Sequence, residues 1–149
     1  MIWLLPIGLL IYFFLNNKES QFANDMQLTK DFNLSEFTRN GNDLPIELLD
    51  NMKELTRNLQ VLRDYLNEPI LVNSGYRSPA YNKKIGGAKN SMHTQGKASD
   101  IRVKSKTPMQ LHAIIEQLIS DGKMKQGGLG LYSTFVHYDI RGNKARWNG

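Results

Sequence analysis

Two histidines and two aspartates carry the chemistry this chain could do. His93 and Asp100 fall seven residues apart in Ser91-Met-His93-Thr-Gln-Gly96-Lys-Ala98-Ser-Asp100, and His137 and Asp139 lie in Phe135-Val-His137-Tyr-Asp139. Two imidazoles and a carboxylate are the ligand set of a catalytic zinc site, which keeps one position open for water. Zinc held this way lowers the pKa of its water to about 7 and polarises a carbonyl, so a metallohydrolase is the leading reading. An adjacent carboxylate would take the proton of that water and pass it to the leaving amine. Strand alternation puts His137 and Asp139 on one face, so Asp139 would lie beside the metal without ligating it. Each piece alone is weak, since such a spacing arises by chance and His137 by itself reads equally as a core or surface histidine. His112, beside Leu111 in a helical stretch, reads as surface or boundary.

For these residues to meet, a loop histidine, a turn at Gly96 and a strand beginning near Ala98 must bring His93 and Asp100 together. His137 then comes from a neighbouring strand. The flanking pattern supplies such elements. Pro45 opens a long helix on which Leu48, Met52, Leu55, Leu59, Leu62 and Leu66 alternate at spacings of four and three, a core stripe. Pro69 to Asn73 reads as a buried strand and Ser78-Pro79 as the capped start of a short helix. Ala98 to Val103 is a second strand, and Thr107-Pro108 starts a helix to about Ser120. Gly127 to Tyr132 and Phe135 to Ile140 suggest a hairpin around Ser133-Thr134. A closing hairpin after alternating strands and helices predicts an α+β fold rather than a doubly wound sheet.

A chain of 149 residues suits one compact domain. Its lack of cysteine excludes zinc-thiolate sites, disulfides and thiol nucleophiles. The net charge of +5 resides wholly outside residues 1–17 and favours anionic partners such as acidic lipid or wall polymers. The basic residues are scattered, with no RNA-binding signature, so nucleic acid is not an expected partner. Ile2 to Leu15 form an uncharged, mostly apolar run of 14 residues, short against the roughly 20 of a full span. No clear cleavage site follows. We expect an export signal or membrane anchor over residues 1–17, uncleaved, then a polar linker over 18–30 and the folded domain over 31–149. The domain would then lie outside the cytoplasmic membrane.

Three ordered motifs support a resemblance. Ser74-Gly75-Tyr76-Arg77-Ser78, then Ser91-x-His93-x-x-Gly96-x-Ala98-x-Asp100, then Phe135-Val136-His137-x-Asp139 resemble the zinc D-Ala-D-Ala carboxypeptidase family of metallopeptidases, in its short single-domain branch of bacterial and phage cell-wall enzymes. The similarity runs from about Phe32 to Trp147. It implies a small antiparallel sheet packed against helices, the hedgehog/DD-peptidase-like zinc peptidase fold. It implies Zn2+ held by His93, Asp100 and His137, with the metal's water as nucleophile. Arg77 would bind substrate, gripping a terminal carboxylate or polarising the scissile carbonyl, for which a planar guanidinium suits. Ser91 and Gln95 would line the site, although Ser91 could equally cap a turn.

The chain departs from some relatives at the catalytic base. Tyr132 to Val136 contain no acid, and Phe135 stands where others carry the first histidine of His-x-His. Asp139 is the acid left nearby and is expected to act as the base, or else to orient a ligand. The resemblance implies hydrolysis of peptide bonds of peptidoglycan stems, by a carboxypeptidase, an endopeptidase or a phage endolysin, and a monomer is expected. Its rival is a non-catalytic wall-binding or virion-structural protein that keeps the zinc fold.

Overall fold

The computed structural model describes residues 11–12, 26–39 and 42–149. The signal or anchor expected over residues 1–17 thus lies outside the described residues except at 11–12. Among the described residues no helix is long and apolar enough to cross a membrane.

The described domain opens with a two-stranded antiparallel ribbon, β1 (Gln27–Thr29) and β2 (Phe32–Asn33). β1 falls inside the stretch expected to be a linker. Met26 and Leu28 pack against the core, and Gln60 Oε1 accepts the Thr29 hydroxyl at 2.8 Å and the Asp31 N–H at 3.1 Å. Two apolar residues in a polar run are too sparse a pattern to mark a strand.

A short 3-10 turn, Ile46–Leu48, separates Pro45 from the long helix α1 (Leu49–Leu66). The predicted stripe is core: Met52, Leu55, Leu59 and Leu62 are fully buried, and Leu48 and Leu66 partly. Each such side chain contributes about 1.5–3 kcal/mol on leaving water. In the short helix α2 (Pro79–Lys84) the Ser78 hydroxyl caps the first turn by accepting the Tyr81 N–H at 3.1 Å. α3 (Pro108–Ser120) begins with a reciprocal box in which Thr107 and Gln110 side chains each accept the other's N–H.

Five strands form the main sheet: β3 (Leu71–Ser74), β4 (Ala98–Arg102), β5 (Gly128–Leu131), β6 (Val136–Asp139) and β7 (Ala145–Asn148). Their order is β3-β4-β6-β5-β7, antiparallel except for the β5–β7 pair. The architecture is α+β as expected. β7 is an addition, because Ala-Arg-Trp-Asn lacks the apolar alternation of a half-buried strand.

The strands' two faces do different work. Val72, Ile101, Leu129, Val136 and Tyr138 join α1 and α3 in the core. On the other face the register lines up one residue from each strand: Ser74 opposite Asp100, Asp100 opposite His137, His137 opposite Gly130, and Gly130 opposite Trp147. That row is the floor of the site.

Candidate metal centre

His93 comes to the row from a 3-10 turn, Met92–Gln95, rather than from an irregular loop. Ser91 caps the turn, its hydroxyl accepting the His93 N–H at 3.3 Å, so the bland reading of Ser91 describes its contact here. The Gln95 carbonyl accepts the Asn51 side chain at 2.9 Å, while its own side-chain amide bonds to no described residue. The Arg77 N–H donates to the His93 carbonyl at 3.2 Å, tying the turn to the chain that leaves β3.

The ligand atoms of His93, Asp100 and His137 all lie within 4.8 Å of one another, and all three residues are nearly closed to solvent. His93 Nε2 is 3.2 Å from Asp100 Oδ1 and 3.3 Å from His137 Nδ1, and His137 Nδ1 is 3.0 Å from the same Oδ1. The outer nitrogens settle the tautomers. His93 Nδ1 sits 2.7 Å from the Gly75 carbonyl, which only accepts, so this nitrogen carries the proton. His137 Nε2 sits 2.9 Å from Asp139 Oδ2 and donates to it. Neutral Nε2 of His93, neutral Nδ1 of His137 and Asp100 Oδ1 therefore turn three lone pairs toward one point. That contact is repulsive unless a cation occupies it, so the donor set fits a divalent metal.

Burial alone would raise the Asp100 carboxyl, but the hydrogen bonds of His137 and His93 outweigh it and hold the group well below the carboxylate range. Burial disfavours charge on His137, yet Asp100 and Asp139 on either side raise its pKa above the ordinary value.

Asp139 lies where alternation predicts, on the face of His137, but its lone pairs are taken. The carboxylate is fully buried. Arg141 grips it through Nε at 2.8 Å and Nη2 at 2.7 Å, and the Gly128 N–H donates to Oδ1 at 2.9 Å. Burial would raise its carboxyl, but His137 and then Arg141 hold it well below the carboxylate range. This is the geometry of a group that orients a ligand histidine, the alternative to a catalytic base. One glycine of β5 makes room for it and another for the Trp147 ring. A Cβ on Gly128 would stand 2.2 Å from Asp139 Oδ2, and one on Gly130 would stand 2.5 Å from the Trp147 ring.

Arg77 is also committed. Its Nη2 donates to Asp100 Oδ2 at 2.7 Å and its Nε to Ser74 Oγ at 2.9 Å, leaving Nη1 without a described partner. Arg141 and Trp147 are site residues that sequence reasoning missed. Trp147 lies 5.0 Å from His137 between ring centroids, donates to the Tyr132 hydroxyl at 3.0 Å, and takes the Arg141 guanidinium at 5.5 Å. Arg141 had one available signal, an arginine two residues beyond an acid at a strand's end. His112 lines a separate groove with Glu116, Arg146 and Trp147, and is not in the ligand group.

A small, mostly antiparallel sheet carries a buried cradle of two histidines and one aspartate whose donor atoms could hold a metal ion. Residues 26–139 match the family described as Peptidase M15, and the chain belongs to that family of metallopeptidases. It is 34% identical over 99 residues to a protein of Haemophilus influenzae named probable peptidoglycan L,D-endopeptidase MepK. The likeness covers 62% of this chain and 50% of the relative, so the matched part spans about half of that protein.

Proposed function

We propose that this chain is a zinc peptidase that hydrolyses peptide bonds in peptidoglycan stem peptides. The convergence of three lone pairs from His93, Asp100 and His137 on one buried point carries the reading. Zinc with ligands about 2.0–2.1 Å away holds them roughly 3.4 Å apart in a tetrahedron. The observed separations of 3.0, 3.2 and 3.3 Å support that size of ion. Three protein ligands leave the fourth position that catalysis needs. Zinc bound there supplies Lewis acidity and a water acidified to near neutrality.

Around it we assign roles by what each side chain has left to give. Arg77 keeps Nη1 for one substrate oxygen, which suits the scissile carbonyl and not the two-pronged grip of a terminal carboxylate. Asp139 holds His137 in its tautomer and is not the base. Gln95, on the turn of His93 and with its amide free, is left to meet substrate, whereas Ser91 serves the turn. With Arg77 unable to fork a carboxylate, trimming of a terminal D-Ala loses its support. Cleavage within the stem or cross-link is the better reading, in line with the name of the Haemophilus influenzae relative. We place the domain outside the cytoplasmic membrane, tethered by residues 1–17, because that substrate lies there. We expect it to work as a monomer.

The test is direct. Zinc-loaded chain incubated with purified cross-linked peptidoglycan is expected to release peptides with new termini, read by mass spectrometry, and His93→Ala is expected to release none. The occupation of Asp139 favours a second reading, a wall-binding protein that keeps the metal and has lost turnover. Bound zinc with no new termini would select it.

A further inference from the structure

A cavity of about 300 Å³ lies where the end of β4 meets the start of α3, lined by Arg102, Lys104, Lys106, Leu111, Thr134 and Phe135 among others. Arg102 lies two residues beyond Asp100 on β4, and Phe135 lies two residues before His137, just ahead of β6. Alternation puts both on the ligand-bearing face, about 7 Å along the strands from the ligands. The Phe135 ring is fixed there by stacking on Tyr132, with 4.4 Å between centroids.

Positive charge in this cavity is poorly matched. Lys106 reaches Glu68 at 3.7 Å and the Ser105 hydroxyl at 2.9 Å. Arg102 donates through Nε to the Asn73 side chain at 3.2 Å, and both Arg102 and Lys104 are exposed. Among the described residues neither has a carboxylate at ion-pair distance. Arg102 thus keeps both terminal nitrogens, the donors that Arg77 lacks for a forked grip.

We propose that this cavity is a substrate subsite for a free carboxylate of the peptide, held by Arg102 and Lys104 above Phe135. The inference rests on the peptidase reading and gives the basic excess of the chain a location. A stem peptide offers two such groups, its C-terminal carboxylate and the α-carboxylate of a γ-linked D-glutamate, and the cavity chemistry is the same for either.

Three synthetic stem tetrapeptides separate them: one with both carboxylates free, one amidated at the C-terminus, and one amidated at D-glutamate. Each is titrated into zinc-loaded, 15N-labelled full chain, with dissociation constants read from amide shifts whether or not the peptide is cut. One amidation is expected to weaken binding about tenfold, the size of one charge-assisted hydrogen bond. In Arg102→Gln/Lys104→Gln the loss shrinks to under about twofold, while Lys123→Gln keeps it. Loss at D-glutamate fits internal cleavage, and loss at the C-terminus fits trimming. Equal binding of all three by wild type, or full discrimination in the double variant, overturns the subsite. Failure of the same zinc-loaded chain to release new termini from cross-linked peptidoglycan overturns the peptidase reading instead, leaving the binding result standing.

Discussion

Asp139 and His137 alternate onto one face in a way the sequence makes plain, but their division of labour is set by Arg141. A buried carboxylate gripped by a guanidinium and a backbone N–H has nothing free for a water, and its remaining contact fixes the His137 tautomer. Asp139→Asn and Arg141→Gln are therefore each expected to weaken zinc binding about 10- to 100-fold, measured by chelator competition. A catalytic base would instead lose turnover with metal affinity intact. His93→Ala and His137→Ala are expected to cut metal content from about one ion per chain to a small fraction, by elemental analysis. The convergence of His93, Asp100 and His137 was legible because two histidines and an aspartate sit in ordered motifs. The grip of Arg141 on Asp139 was not, because it depends on an approach that only the folded chain displays.

The same contrast holds for the elements. The α1 stripe and the Ser78 and Thr107 caps were readable because a period of 3.6 and a capping residue are local signals. β7 was missed because its place is set by pairing with β5 and by the Trp147 ring crossing Gly130, neither of which leaves a local pattern. Leu59→Ala, which truncates a fully buried α1 side chain, is expected to cost about 2–5 kcal/mol in denaturant melts. Gly130→Ala is expected to dislodge Trp147, since the new Cβ would stand 2.5 Å from the ring. In a Trp3→Phe background Trp147 is the sole indole, and its emission should shift to the red. Unchanged emission would mean that the ring does not depend on the glycine.

For the molecule as a whole, a metal ion and a proton would compete for one cradle. The His137 pKa lies above its ordinary 6.5 in the metal-free protein, despite burial, because Asp100 and Asp139 flank it. Its protonation stabilises that form fully below 6.5, and the contribution is lost as pH rises through the raised value. Metal requires the neutral ring, so the rise in Tm on adding zinc should grow with pH across this range and shrink on the acid side. A pH-independent increment would remove His137 from the ligand set. The row from Ser74 to Trp147 has one more consequence. Two of the ligands sit on partnered strands, so a one-residue slip between β4 and β6 would swap His137 for Tyr138 and send the imidazole among leucines. Ion uptake would then act as a proofreader of strand alignment, rewarding only the chain that has threaded its sheet correctly.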